Sequence, residues 1–115
     1  SWRYEAFWTL LWVLGWVDEF GRPDKQCDVE RTVKILWECK TPDCFIKGST
    51  MRTVSIILDA LDLIYRYDWA CVEARLKEMP MPGNLEIGVV YERHYALNWL
   101  VHYLDEEWDE ITCDT

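Results

Sequence analysis

The stretch from Met51 to Glu78 constrains this chain more than any other. It contains neither proline nor glycine. Wound as a helix at about 100° per residue, it carries Val54, Ile56, Ile57, Leu58, Leu61, Leu63, Ile64, Trp69, Val72 and Leu76 around most of its circumference. One narrow stripe stays polar: Ser55, Asp59, Asp62, Arg66, Glu73 and Lys77. Asp68 and Arg75 interrupt the other side. A helix this apolar needs cover on more than one side, so the stretch reads as the centre of a helical bundle. Met79-Pro-Met-Pro-Gly-Asn84 then breaks the chain, because proline can neither donate a hydrogen bond nor continue a helix.

Three further helices follow from the same periodicity. The first spans about Trp2 to Val17 and ends in turn chemistry at Asp18 to Asp24, with Gly21 and Pro23. The second spans about Asp28 to Cys39, with Asp28 as N-cap and Thr41-Pro42 as the stop. A loop is expected from there to about Thr50. The last helix spans about Leu85 to Glu107, and the tail from Trp108 to Thr115 reads as extended, anchored by Trp108 and Ile111. No strand, repeat or low-complexity segment stands out. The expected fold is therefore all-α: a single domain over residues 1–115, a compact bundle of about four main helices with a long central one.

Composition excludes several functions. Twelve basic residues against 21 acidic ones give a net charge of −9, without the basic face of a nucleic-acid or anionic-membrane binder. The longest apolar run, Ala6 to Val17, falls short of the ~20 residues that span a bilayer. The five cysteines form no C-x-x-C pair. Cys39 and Cys44 lack a second pair or nearby histidines, so no metal or cofactor is expected, and reduced thiols point to the cytoplasm. No signal peptide is visible. The chain opens Ser1-Trp2, without an initiator Met and inside an apolar pattern; the expectation is the C-terminal part of a longer protein.

On the last helix, Val89, Val90, Ala96, Leu97, Leu100, Val101 and Leu104 form the core side, and Arg93 falls within that arc. A buried guanidinium must be paired. Asp59 and Asp62, three apart on the central helix, are the expected partners, with Arg66 one turn beyond. Glu5, or the tail carboxylates Asp109 and Asp114, would close this network of Asp59, Asp62, Arg66 and Arg93. It is either a structural device or the floor of a cleft for an anionic ligand. No catalytic residue can be assigned.

On the first helix, Trp8, Trp12 and Trp16 recur every four residues around Glu5 and Thr9, opposite an aliphatic side. This row reads as a packing surface for a protein partner, a second copy or a missing N-terminal segment. His94, Asn98 and His102 share the outer side of the last helix; the histidines are roughly 12 Å apart along the axis, too far for one ion, so this side reads as solvated. Cys27 and Cys113 read as exposed thiols.

Four stretches together resemble a known family: Trp2-Arg3-Tyr4-Glu5-Ala6 with Leu11-Trp12-x-Leu14-Gly15; Ile57-Leu58-Asp59-x-x-Asp62-Leu63-x-Tyr65-Arg66-x-x-Trp69-Ala70; Glu92-Arg93-His94-Tyr95-Ala96-Leu97-Asn98-Trp99-Leu100; and Trp108-Asp109 with Asp114-Thr115. The sequence is similar over nearly its whole length to a bacterial family known only as a domain of unknown function, number 4272. The resemblance implies a cytoplasmic, mostly helical protein with a further N-terminal segment before the Trp-Arg motif. It brings no agreed activity, cofactor or catalytic residue. The expected function is a non-enzymatic interaction or scaffold module acting through the tryptophan row. Anionic-ligand binding at the Asp/Arg cluster is the alternative, and an enzyme at that cluster comes third.

Overall fold

The structure is a computed structural model; it describes the backbone of residues 2–113 and the side chains of residues 4–105. Among them there are five α-helices and no strand: α1 (Trp2–Val13), α2 (Val29–Glu38), α3 (Pro42–Gly48), α4 (Val54–Leu76) and α5 (Ile87–Cys113), with a 3₁₀ turn at Pro82–Asn84. The all-helical bundle expected from periodicity is present.

Local chemistry sets the boundaries. α1 stops four residues early because Gly15 adopts φ +82, and a Cβ there would lie 2.7 Å from the Thr50 carbonyl oxygen. The chain end of α1 is then paired edge to edge: Thr50 N–H donates to Leu14 O and Arg52 N–H to Val13 O, both at 2.8 Å. Gly15→Ala is expected to lower stability by about 1–3 kcal/mol; a urea denaturation midpoint equal to the parent's would contradict this.

Asp28 caps α2 as expected, its carboxylate accepting the Arg31 N–H at 3.0 Å. The stretch after it is helical, not the expected loop. Pro42 is the start of α3, with Thr41 Oγ1 accepting the Cys44 N–H at 3.1 Å. Proline occupies a first helical position without loss, because that N–H has no helical partner anyway. α4 begins at Thr53, which caps Ile56 N–H. Where extended tail was expected, α5 continues as helix to Cys113.

Two clusters make the core. One joins Trp12 and Val13 of α1, Ile57, Ile64 and Cys71 of α4, and Val90 and Leu97 of α5. The other joins Trp8, Leu11 and Val17 with Ile35 of α2. α5 packs against both α1 and α4, and α1 against α2. The central position therefore falls to α5. α4 buries only the stripe of Ile57, Ile64, Cys71 and Ala74, leaving Leu58, Leu63, Tyr65, Trp69 and Leu76 exposed.

Candidate functional site

Arg93 projects from α5 into the interior, three residues after Val90 and four before Leu97, and is 2 % exposed. The α1 side chain that meets it is Glu5, 1 % exposed. Arg93 Nε lies 3.4 Å from Glu5 Oε1, longer than the about 2.7–2.9 Å of a strong charged hydrogen bond. Its shorter bond goes to backbone, Nη1 donating to Gly21 O at 2.7 Å. The guanidinium also lies 4.4 Å over the Phe20 ring. The other Glu5 oxygen accepts the Cys27 N–H at 2.7 Å. Among the described residues, no buried side-chain nitrogen or oxygen lacks a partner. The cluster thus ties α5 to α1 and to the Phe20–Cys27 segment between α1 and α2.

Burial pulls the Arg93 guanidinium below its ordinary value, and the Glu5 charge opposes that shift. The Cys27 thiol is pushed up to about 12, first by burial, then by its hydrogen bond to Glu5 and the Glu5 charge. Half-buried and protonated, Cys27 is not the exposed thiol expected. It should resist iodoacetamide at pH 8, where roughly one part in 10⁴ is thiolate, and react on unfolding. Labelling of the native protein at the rate of a free model thiol would refute this. Because the folded value exceeds the ordinary 9.0, this thiol favours the fold below pH 9.0, and its contribution is lost as pH rises toward 12.

The expected network does not assemble. Asp62 and Arg66 pair with each other at 3.1 Å on the surface, and Asp59 is exposed. At about 100° per residue, Asp59 and Asp62 fall about 140–200° around α4 from Ile57, so the stripe that meets α5 turns them outward. Of the proposed partners among the described residues, Glu5 alone reaches Arg93. Asp109 and Asp114 lie outside the residues whose side chains are described, as do Trp108 and Ile111.

The tryptophan row is interior, not an interaction surface. Trp8 and Trp12 are buried. Trp8 Nε1 donates to Phe20 O at 2.9 Å, and Trp12 stacks on Phe20 with centroids 4.8 Å apart. Trp16 donates to Ser49 Oγ at 2.8 Å and stacks on Phe45. Both sides of α1 are covered, one by α5 and the other by the chain's own residues 16–52. Arg52, which sequence reasoning did not single out, clamps the end of α1. It donates to Trp12 O at 2.6 Å, Val17 O at 2.7 Å and Asp18 O at 3.0 Å, and lies 4.6 Å over the Trp12 ring.

A cleft of about 250 Å³ borders Arg93, with Arg22, Phe20 and Tyr67 among its walls. Its arginines are engaged: Arg93 as above, and Arg22 with the Gly83 carbonyl and, at 3.8 Å, Asp24. A larger hollow of about 660 Å³ between α1 and α2 is walled mainly by Phe7, Val33, Leu36 and Trp37, with Lys40 the charged wall among the described residues. Neither joins an acid to a base at an open position. No group of three or more His, Cys, Asp and Glu suited to a metal occurs among the described residues.

The remaining feature is the outer face of the α4–α5 pair. His94 is not simply solvated: Nδ1 lies 2.6 Å from Asp68 Oδ2 of α4, and Tyr65 meets its ring edge-on. Beside this bridge Tyr65 and Trp69 of α4 and Tyr91 and Tyr95 of α5 are exposed, and Trp99 and Tyr103 are exposed further along and around α5. Tyr91 stacks with Tyr95 and Trp99 with Tyr103. Their i, i+4 spacing on α5 was the available signal.

A family model described as a domain of unknown function (DUF4272) matches residues 1–111. No curated protein and no solved structure matches.

Proposed function

The chain belongs to the DUF4272 family of domains of unknown function, and we propose that it works as a non-enzymatic interaction module whose contact surface is the α4–α5 outer face. The observation that carries this reading is the concentration of half-exposed aromatic rings on two adjacent helices. Tyrosine and tryptophan combine large contact area with little conformational freedom to lose, and so dominate binding surfaces. The buried tryptophans of α1 are consumed by packing and leave this face as the surface on offer. Free thiols fit a cytoplasmic setting. No described helix is long and apolar enough to cross a membrane. Anionic-ligand binding at Arg93 has less support, because Glu5 and the Gly21 carbonyl already take its charge and donors.

The test is affinity purification from the native host. A stoichiometric species identified by mass, be it a second copy or another protein, should accompany the parent and the α3 surface variant Lys47→Glu. It should be lost with Trp69→Glu. Identical recovery from parent and Trp69→Glu would refute the reading.

A further inference from the structure

We infer that the α4–α5 face is a self-association surface that takes a second copy of this chain in antiparallel, two-fold fashion; this rests on the interaction reading above. The argument begins with spacing. Along α4 an apolar stripe, exposed except at half-buried Leu61 and Val72, runs Val54-Leu58-Leu61-Tyr65 and then Tyr65-Trp69-Val72-Leu76, two eleven-residue units stepped 4, 3, 4. Eleven residues make about three α-helical turns, so the stripe keeps one line along the whole helix. It is also palindromic about Tyr65. When two α4 helices lie antiparallel with Tyr65 at the two-fold axis, Val54 faces Leu76 of the second copy, Leu58 faces Val72, and Leu61 faces Trp69. Self-complementarity of this kind is what an isologous interface requires.

The area agrees. Five aromatic rings, Tyr65, Trp69, Tyr91, Tyr95 and Trp99, are each more than half exposed. At roughly 120 Å² apiece they present about 600 Å². Val54, Leu58 and Leu76 raise this to about 800 Å², the share each partner contributes to a standard interface. The largest apolar patch of an ordinary monomer is about 300–600 Å².

Charge does not oppose the pairing, although each copy carries −9. On the rim of the stripe, Asp62 and Arg66 neutralise each other. The acid within the face, Asp68, is hydrogen-bonded to His94.

The experiment is sedimentation equilibrium on the chain, with circular dichroism as the folding control. The parent should sediment at twice 13.8 kDa. Trp69→Glu should weaken the dimer at least about 30-fold while keeping its helicity, and Tyr95→Glu should act in the same direction. Tyr65→Cys should form a disulfide-linked dimer under a copper–phenanthroline oxidant, with two thiols giving up two protons and two electrons. Neither the parent nor Lys34→Cys should cross-link to that extent. A parent that sediments as a monomer at high micromolar concentration overturns the inference. So does a dimer that survives both glutamate variants. If the parent sediments as a monomer and purification yields a different protein that is lost with Trp69→Glu, the interaction reading stands and the second copy is ruled out. If nothing is lost, both fall.

Discussion

Replacing Arg93 with methionine should destabilise the fold by about 3–5 kcal/mol, the range for removing one member of a buried ion pair. Methionine fills much of the volume, so the loss is electrostatic in origin. Glu5, 1 % exposed, would keep the Cys27 N–H for its carboxylate but lose its cation. The Gly21 carbonyl would lose a 2.7 Å donor, and the segment from Phe20 to Cys27 would lose its tie to α5. Removing the stranded charge as well, in Glu5→Leu with Arg93→Met, should recover a large part of the loss, since a buried pair is often worth little more than an apolar replacement. Urea denaturation of the two single variants and the double variant closes the cycle. A stability for Arg93→Met within about 0.5 kcal/mol of the parent, the range of an ordinary surface change, would show that the pair is not held as described.

Trp12→Ala should be of similar size, about 3–5 kcal/mol. The ring is 7 % exposed, stacked on Phe20 and covered by the Arg52 guanidinium. Its removal opens a cavity at the junction of α1, α4 and the Arg52 clamp, and uncovers the guanidinium that holds three backbone carbonyls there. The comparison is Trp37 of α2, 75 % exposed. Trp37→Ala should change stability by no more than about 0.5 kcal/mol. Equal effects from the two alanine variants would mean that Trp12 does not pack in the core.

Arg93 shows how far one-dimensional reasoning reaches. Its burial was legible because a charge lay within an arc otherwise made of valine, leucine and alanine. Its partner was not. Glu5, Asp59 and Asp62 were all candidates by type and helical position. The choice turned on which way α4 faces, and α4 is apolar around so much of its circumference that periodicity names no single inner side. The tryptophan row failed for a related reason. A helix with two apolar sides announces that both need cover, but not whether the cover comes from a partner or from the thirty-odd residues that follow in the same chain. α3 was missed because Thr41-Pro42 ends one helix and starts the next with the same two residues.

The sequence by itself determined that the chain is helical, where Asp28 caps α2, that α4 is long, and that Arg93 lies inside. These follow from local periodicity, capping chemistry and the cost of an unpaired charge, each confined to a few turns of one element. The tertiary structure decided which carboxylate answers Arg93, which tryptophans are core and which rings are left outside. Those depend on how rigid helices are rotated about their own axes against one another. That rotation is fixed by the sum of many weak contacts between residues distant in the chain, which no single segment carries.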